Sequence, residues 1–419
     1  MSIRAVAEAA RASLPALARS SGTARSAFLE RMAQNIRRSA KALIAENAED
    51  VSASLSAGRT DAFLDRLALD QNRVDSLVRS LLQMASLPDP LYGVEETERL
   101  DSGLTVGRMR VPLGLIAFVC EARPGAAAEA AALAVKSGNA MVCKPGKESA
   151  RSSRFLGAIM KRSLREAGLP EEAVAVLPSM DREEVLELVR LDGVVDLVIP
   201  RGGEGLIRLV AENSRVPVLK HYRGVCHLYV DRGADVPSSV RVIIDAKTSR
   251  PATCNALECL LVHEEAAPEL AEALIPELRN NGVAVRASRS LMDLMRPLGE
   301  DLLSEAAPGD FDREYLDLVL NMASVPDLDA ALDHIRLHGS NHTESIMTPH
   351  LAHAVRFTRE ADASCVMVNA STRLNDGGVL GLGGEIGIST SKLHAYGPMG
   401  LKELTARKFV VMGDGHVRG

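Results

Sequence analysis

The sequence predicts an α/β fold in which parallel strands alternate with helices. From residue 113 onward, short apolar runs alternate with longer helical segments, and the runs lack the polar alternation of a strand that has one face in water. The composition, with 46% hydrophobic and 25% charged residues, is that of an ordinary folded protein and excludes a disordered or disulfide-rich chain. A length of 419 residues accommodates two or three domains.

The region before the alternation is predicted to be helical up to residue 85. Residues 23–50 contain no Pro or Gly, and they place apolar side chains near one face: Phe28, Met32, Ile36, Leu43 and Ile44. Residues 1–20 include Glu8 and continue the helical rhythm, which favours a surface helix over a transit peptide. Residues 94–112, with glycines at their turns, predict a polar β-ribbon.

Strands and helices then follow one another in the order of a doubly wound sheet. The predicted strands are LGLIAFVCEA, NAMVCKPG, AVAVLP, VVDLVIP and VPVLK, with a helix after each of the first four. A second α/β unit begins near Asp235, contains Cys254 and reaches the Gly-rich stretch 376–387, and the tail LTARKFVVMGDGHVRG is a candidate edge strand. Ligands of such sheets bind at the carboxyl ends of the strands.

Charge and cysteine content exclude several functions. A net charge of −6 and an aromatic content of 3% argue against a nucleic-acid partner, which needs cations and stacking platforms. No apolar run reaches the ~18 residues of a membrane span, so we expect no membrane partner. Six cysteines without a CxxC pair indicate a reducing compartment, and we expect a cytoplasmic protein.

The loop IPRGGEG follows a predicted strand and opens a helix. Its glycines, Gly202, Gly203 and Gly205, would let backbone N–H groups approach a phosphate at the helix N-terminus. The usual GxGxxG spacing is absent, so a tight strand-to-helix turn explains the glycines equally well.

Cys254 lies in the segment SRPATCNALECLLV. Pro251 and the capping-box spacing of Asn255 and Glu258 predict a helix whose first turn holds Cys254. A helix N-terminus lowers the pKa of a thiol and favours the nucleophilic thiolate, although a buried, inert thiol is equally compatible with the local sequence. Cys259, inside the same predicted helix, is expected in the core.

Two further features are ambiguous. His334, His338 and His342 recur every four residues, but no carboxylate or thiol lies at ligand spacing beside them and Gly339 interrupts the helix, so we predict no metal site. Glu385, between glycines in GLGGEIG, is a candidate acceptor for a ribose hydroxyl, although a solvated acid in a turn is the simpler explanation.

Long segments of the chain resemble the gamma-glutamyl phosphate reductase family of the aldehyde dehydrogenase superfamily. They are VPLGLIAFVCEARPG, AALAVKSGNA, IPRGGEGLI, VPVLKHYRGVCHLYVD, AKTSRPATCNALECLLVH, GSNHTESI and GLGGEIGISTSKLHAYGPMGLKELT. They keep the family's order and spacing. The resemblance implies an aldehyde-dehydrogenase-like fold, with a Rossmann-type cofactor domain, an α/β catalytic domain and a small β-ribbon for oligomerisation.

The resemblance also implies a reaction: the NADPH-dependent reduction of L-glutamyl 5-phosphate to glutamate 5-semialdehyde and phosphate, in proline biosynthesis. Cys254 matches the family's nucleophile, and its own backbone N–H at the expected helix start would stabilise the oxyanion. A thioester on Cys254 would then accept hydride from the nicotinamide. Where hydrolytic members of the superfamily carry a general-base Glu, this chain has Lys220. Without that base the thioester would not be hydrolysed, and the lysine would attract phosphate. The alternative is that Lys220 is a surface lysine at a strand end.

Other residues receive roles through the same resemblance. Glu121 and Arg123, in CEARP, and His342, in GSNHTESI, are assigned to the substrate pocket. The cofactor residues are Lys144, Lys147, Gly202, Gly203 and Glu385. Lys144 matches a lysine that meets the adenosine ribose, and Glu385 matches the acid that holds the nicotinamide ribose. Lys147 stands where members that prefer NAD place an acid, so a cation there predicts NADP.

Ala122, Gly125 and Tyr396 depart from the family pattern, and Lys144-Pro-Gly146 stands where the family usually has Arg-Gly-Gly. Ala122 and Tyr396 replace the usual Ser and Arg, each of which would supply a polar or charged group. A reductase of another acyl phosphate or an acyl-CoA, and a non-catalytic binding paralogue, are therefore the alternative functions.

The predicted domain limits follow from these motifs. Residues 1–96 and 112–232 form the cofactor domain, residues 233–395 the catalytic domain, and residues 97–111 and 396–419 the ribbon. Because an isolated ribbon is marginal in water, we expect a homo-oligomer, a dimer or tetramer. The substrate that the resemblance implies is a small molecule that cyclises readily, so glutamate 5-kinase, which makes it, is an expected partner.

Overall fold

The computed structural model describes residues 2–177 and 181–418, and the chain forms two compact units. The first comprises Met1–Lys220, Gly381–Gly387 and Pro398–Gly419, and the second comprises His221–Leu380 and Ile388–Gly397. The second unit therefore interrupts the sequence of the first. Within the described ranges, no helix has both the length and the apolarity that a bilayer crossing requires.

Helices build the N-terminal part of the first unit. They are α1 (Ile3–Ala12), α2 (Leu14–Arg19), α3 (Gly22–Arg38), α4 (Ala40–Ser56), α5 (Asp61–Leu67) and α6 (Gln71–Ser86). The side-chain oxygens of Ser21 and Asp70 accept backbone hydrogen bonds at the starts of α3 and α6, as N-caps do. Phe28, Met32 and Leu43 on the predicted apolar face are fully buried.

A parallel sheet forms the centre of the first unit. It consists of β3 (Leu115–Cys120), β4 (Ala140–Pro145), β5 (Val174–Val176) and β6 (Leu197–Arg201), in the order β5-β4-β3-β6. The intervening helices are α7 (Pro124–Lys136), α8 (Ala150–Glu166), α9 (Arg182–Val189) and α10 (Glu204–Asn213). The segment VPVLK, predicted as a strand, makes only a single bridge between Val218 and Val198 of β6.

An antiparallel sheet completes the first unit. It joins β1 (Val94–Arg99), β2 (Thr105–Pro112) and β16 (Thr405–Met412) in the order β1-β2-β16. The C-terminal segment thus pairs with the polar ribbon, as its strand pattern predicts. Phe409, Val411 and Met412 on β16 are exposed, and the Arg108 guanidinium lies 3.9 Å from the centre of the Phe409 ring.

The second unit is built on another parallel sheet. Its strands are β7 (Cys226–Val230), β8 (Leu257–His263), β9 (Ala284–Ala287), β10 (Leu303–Glu305), β11 (Val319–Val325), β12 (Thr343–Met347) and β13 (Cys365–Val368), in the order β10-β9-β11-β8-β7-β12-β13. The helices are α11 (Val236–Thr248), α12 (Ala267–Asn280), α13 (Arg289–Gly299), α14 (Leu328–His338) and α15 (Leu351–Glu360). The short strands β14 (Ile388–Ser389) and β15 (Gly397–Pro398) pair with each other.

The structural limits differ from the predicted domain limits in several places. Residues 97–111 and 398–419, predicted as a separate ribbon, belong to the first unit, and residues 396–397 belong to the second. Residues 221–232 fall in the second unit, because β7 pairs with β8 and β12 of its sheet. Residues 381–387 fall in the first unit, where Gly383 and Gly384 pack closely against Leu87 and Met84. The predicted cofactor domain also includes residues 178–180, which lie outside the described residues.

The predicted helix after Cys254 is wrong. Residues 257–263 form β8, every residue of which is buried, in the middle of the parallel sheet. A strand buried on both faces reads as a continuous apolar run, and residues 259–262, CLLV, are such a run. The capping-box spacing of Asn255 and Glu258 was therefore coincidental, and Cys259 lies in the core on a strand rather than on a helix.

Candidate active site

Cys254 lies half-buried in a tight turn between α11 and β8. The Thr253 hydroxyl donates to the Arg250 carbonyl at 2.8 Å, and the Ala256 amide donates to the Thr253 carbonyl at 3.0 Å, which closes the turn. The buried Asn255 side chain donates to the Asn375 carbonyl at 3.0 Å. The backbone on both sides of Cys254 is therefore held in place without the helix that the sequence predicted.

Gly224 and Cys226 line the other side of this turn. A Cβ on Gly224 would collide with the backbone carbonyl of Cys254, so only glycine permits this approach. The Cys226 thiol donates to the same carbonyl at 3.2 Å. These contacts fix the position of the Cys254 carbonyl and, through it, the direction of the Cys254 side chain.

Two histidines converge on the Cys254 thiol. One donor atom from each of His221, Cys254 and His342 lies within 4.8 Å of the others, and we call these three residues the Cys254 cluster. Nδ1 of His221 lies 3.0 Å from the carbonyl oxygen of Ile388, an acceptor, so this nitrogen carries the proton and Nε2 is left for the thiol.

His342 is fully buried at the start of β12. Its Nδ1 lies 2.8 Å from the Thr343 hydroxyl, which in turn accepts a 2.7 Å hydrogen bond from the Asn375 side chain. With Asn375 donating to its oxygen, the Thr343 hydroxyl can donate to Nδ1 of His342, which leaves the proton on Nε2. That nitrogen is buried and has no directed hydrogen-bond partner among the described residues, so it is available to the Cys254 thiol.

The surroundings of Cys254 favour the thiolate. Burial by itself raises the pKa of the thiol, but the charge of His342 and hydrogen bonds with His221 and His342 outweigh burial and hold the pKa well below its ordinary value. A lowered pKa in a partly exposed position characterises a reactive cysteine. By contrast, burial raises the pKa of the neighbouring Cys226.

A carboxyl group also lies near the thiol. Burial, followed by the charges of Cys254 and Glu258, raises the pKa of Glu314 to about 7, although it accepts a hydrogen bond from the Gly224 amide. Behind it, Glu258 and Lys247 form a fully buried ion pair at 3.2 Å. Burial raises the pKa of Glu258 to about 7 even with this partner. Glu314 is thus able to exchange a proton near neutral pH.

The predicted phosphate loop lies at the carboxyl edge of the sheet in the first unit. Gly203 is the N-cap residue of α10 and supplies no side-chain cap, and nothing lies near the position that a Cβ on Gly205 would occupy. The open backbone fits a phosphate group at the helix N-terminus. The Glu121 carboxylate accepts a 3.0 Å hydrogen bond from the Gly203 amide, which places this predicted substrate residue at the loop instead.

The predicted lysines follow the neighbouring strand β4. Lys144 is buried and lies 3.6 Å from Glu184, and burial lowers its pKa despite that carboxylate. Lys147 is exposed in a short turn just beyond the end of the strand. Of the two lysines, Lys147 therefore has the freedom to meet an anionic group.

The remaining predicted residues are divided between the units. Arg123, at the start of α7, Lys220, after the Val218 bridge, and Glu385, in the Gly-rich loop, are half-buried residues of the first unit. His342 and Cys254 belong to the second. The structure thus brings His342 to Cys254 as one site, and the predicted cofactor residues all belong to the other unit.

Ala122, Gly125 and Tyr396, which depart from the family pattern, lie in different surroundings. Ala122 is buried at a φ of 47°, and its amide donates to Glu148 at 2.6 Å, so its backbone rather than its side chain is engaged. Gly125 lies in the first turn of α7. The Tyr396 hydroxyl donates to Asp362 at 3.1 Å.

Sequence reasoning missed His221, Glu314 and Cys226 as members of the site. His221 directly follows Lys220 in VLKHYRG, within one of the segments that carry the resemblance, so its position was a usable signal. No feature of the sequence pointed to Glu314 or Cys226. Their proximity to Cys254 depends on how β7 and the residues before β11 pass the turn that holds Cys254.

Comparison with known proteins assigns the family. Residues 1–286 match the model of the aldehyde dehydrogenase family. A gamma-glutamyl phosphate reductase of Anaeromyxobacter sp. (strain Fw109-5) is 51% identical over 416 residues, covering 99% of this chain and 97% of the relative. The crystal structure of gamma-glutamyl phosphate reductase from Thermotoga maritima superposes with a TM-score of 0.93 at 39% identity, covering 100% of both chains.

The chain belongs to the gamma-glutamyl phosphate reductase family. The predictions of family, fold class and an oxidoreductase activity are confirmed. An engineered glycolyl-CoA reductase with bound NADP⁺ shares the fold, with a TM-score of 0.71 at 15% identity. As a gamma-glutamyl phosphate reductase family member, the chain belongs to an aldehyde dehydrogenase family that uses a nicotinamide cofactor, and the names of its relatives favour glutamyl phosphate over the alternative substrates.

Proposed function

We propose that this protein reduces L-glutamyl 5-phosphate to L-glutamate 5-semialdehyde in proline biosynthesis, through a thioester on Cys254 and with NADPH as the reductant. The observation that carries the proposal is the Cys254 cluster, in which two imidazoles meet a partly exposed thiol of lowered pKa. The full-length similarity to enzymes named for this reaction supports the substrate.

The first task of the site is to generate the nucleophile. His221, held by the Ile388 carbonyl, takes the thiol proton on Nε2, and the Nε2–H of His342 stabilises the resulting thiolate. The thiolate attacks the acyl carbon, forming the C–S bond. The tetrahedral oxyanion then expels phosphate as the C–O bond breaks, which leaves the thioester.

The second task is reduction of the thioester. A bound nicotinamide supplies the hydride for this step. The collapse of the thiohemiacetal breaks the C–S bond and releases the aldehyde, and the proton held by His221 returns to the sulfur. The Cys254 backbone amide, in its turn rather than at a helix start, remains our candidate oxyanion donor.

The residues of the first unit fit a dinucleotide. The N-terminus of α10 and the open space beside Gly205 would take the pyrophosphate, which would replace the Glu121 carboxylate at the Gly203 amide, with Gly202 and Gly203 supplying the close backbone. The acid Glu385 would hold a ribose hydroxyl, and Lys144 the other ribose. The exposed Lys147 would meet the 2′-phosphate and so favour NADPH over NADH.

We assign substrate recognition to two cationic side chains. We assign the survival of the thioester to the absence of a general base that would activate water. Arg123 and Lys220 would attract the carboxylate or phosphate of the substrate, and Glu121 would orient the same segment. Because Lys220 stands in place of a general-base Glu, the thioester is protected from water. His342 is then both a substrate-pocket residue and the thiolate's partner.

The setting of the enzyme follows from the same features. All six cysteines are free thiols, which supports a reducing, cytoplasmic location. The exposed apolar side chains of β16 lie on an edge strand, which supports a homo-oligomer joined through this sheet. Because glutamyl phosphate cyclises, transfer from an associated glutamate 5-kinase would preserve it.

The deciding experiment is an assay in the oxidising direction. Purified protein is mixed with glutamate 5-semialdehyde, phosphate and NADP⁺, and NADPH formation is followed by absorbance, with Cys254→Ser as the matched variant. We expect NADPH formation from the parent chain only. No NADPH at any pH would overturn the proposed function, and replacement of phosphate by coenzyme A tests the acyl-CoA alternative.

A further inference from the structure

A second group of one cysteine and two histidines lies within the second unit. His227 on β7 and Cys259 on β8 are register partners in the parallel sheet, so their side chains share a face. His334 on α14 covers that face. One donor atom from each residue lies within 4.8 Å of the others, and we call these residues the Cys259 cluster. The proposed reaction uses none of them.

The polar atoms of this cluster are poorly satisfied. His227 is fully buried; its Nδ1 lies 3.2 Å from the Glu344 carboxylate, and its Nε2 forms no hydrogen bond with any described residue. Nδ1 of His334 is also buried without a partner. Buried polar atoms in native proteins are almost always paired, so orphaned ring nitrogens beside a thiol indicate a missing ligand.

We propose that His227, Cys259 and His334 bind one zinc ion. A thiolate and two imidazoles form the donor set that a borderline-soft divalent cation prefers. The Oε2 atom of Glu344 lies 3.2 Å from Nδ1 of His227, the position of the carboxylate that orients a metal-bound histidine. In this arrangement Nε2 of His227 faces the metal.

The three donor atoms would have to move only slightly closer together to bind zinc. Donors around a tetrahedral zinc lie roughly 3.5 Å apart, given metal–ligand distances of about 2.0–2.3 Å. The present separations reach 4.8 Å at most, a difference that side-chain rotation can supply. His334 is half-buried on α14, so the site is reachable from the helix side. The thiol that the histidine spacing lacked in sequence thus comes from a different strand.

The test uses the full chain with Cys254→Ala, because the Cys254 cluster carries the same donor set. Chelator-treated protein receives one equivalent of Zn²⁺, unbound metal is removed by gel filtration, and retained zinc is measured by mass spectrometry. Co²⁺ is then used as a spectroscopic probe, since a thiolate ligand gives a near-ultraviolet charge-transfer band. Further variants in this background are Cys259→Ser and His334→Gln, with Cys365→Ser on β13 as the control.

We expect about one retained zinc per chain and a cobalt–thiolate band in the Cys254→Ala protein and in its Cys365→Ser control. Both should be lost in Cys259→Ser and strongly reduced in His334→Gln. Zinc should also raise the melting temperature of the Cys254→Ala protein, a readout that needs no cluster variant. The absence of retained zinc, or an unchanged cobalt band in Cys259→Ser, would overturn the proposal.

Discussion

The Cys254 cluster and the Cys259 cluster contain the same residue types in very different surroundings. Cys254 lies half-buried in a turn, whereas Cys259 lies fully buried on a central strand. The Cys254 histidines are oriented by neutral groups, the Ile388 carbonyl and the Thr343 hydroxyl, whereas the carboxylate of Glu344 lies beside His227. Exposure and neighbouring charge, and not the donor set, thus separate a reactive thiol from a candidate metal ligand.

The largest expected difference is in turnover. Cys254→Ser should reduce turnover by roughly 10³-fold or more, because the nucleophile is removed while the rest of the site remains. In zinc-free buffer, Cys259→Ser should remain within about threefold of the parent, since Cys259 is in the core and outside the reaction. Steady-state kinetics on both variants checks this. Equal losses would mean that the two clusters are not functionally separate.

The turn around Cys254 should be sensitive to a single methyl group. Gly224→Ala places a Cβ against the Cys254 carbonyl, and the resulting shift of the thiol should lower kcat by about 10²-fold. Gly93→Ala is the matched control, because nothing lies near its added Cβ. Thermal unfolding measured alongside kcat separates displacement of Cys254 from loss of folding. An unchanged kcat in Gly224→Ala would contradict the close approach.

The next largest effect should be on the reactivity of the Cys254 thiol and on its dependence on pH. The lowered pKa of Cys254 means that the thiolate persists below the pH at which an ordinary thiol becomes protonated, and is lost only as pH falls through the lowered value. His342→Gln or His221→Gln should slow alkylation of Cys254 by iodoacetamide about tenfold at pH 7. Mass spectrometry of the alkylated peptide provides the rate, with the raised-pKa Cys365 as internal reference.

The smallest expected effect concerns Cys226. Its thiol donates to the Cys254 carbonyl, and a thiol is a weak donor, so Cys226→Ala should lower kcat only about two- to threefold. Cys226→Ser, which keeps a donor, should lie between this variant and the parent. A much larger loss in Cys226→Ala, with folding intact by circular dichroism, would show that Cys226 does more than hold the carbonyl.

The sequence was sufficient for the alternation of strands and helices, because buried parallel strands and amphipathic helices have different apolar periods. It failed at residues 257–263, where an apolar run of strand length was preceded by a helix-like cap. Short apolar runs do not distinguish the two structures without the neighbouring strands.

The residues of the candidate sites could be predicted only where a single segment of the sequence identifies them. Cys254 was identified from its own segment and its resemblance, but His221 and Glu314 reach it through separate loops. The spacing of the histidines suggested a metal site, but no thiol lies near them in the sequence and we predicted none. Cys259 is distant in sequence from His334 and becomes its neighbour only because α14 packs on the sheet.

The interruption of the first unit by the second has a consequence for synthesis on the ribosome. Strand β2 has its partner β16 at the far end of the chain, and the segment Gly381–Gly387 also arrives late. The unit that carries Cys254 is translated through Gly397 before β16 emerges. Nascent chains should therefore complete the second unit first and hold an unfinished edge at β2 until β16 has been translated, so completion of the first unit depends on β16.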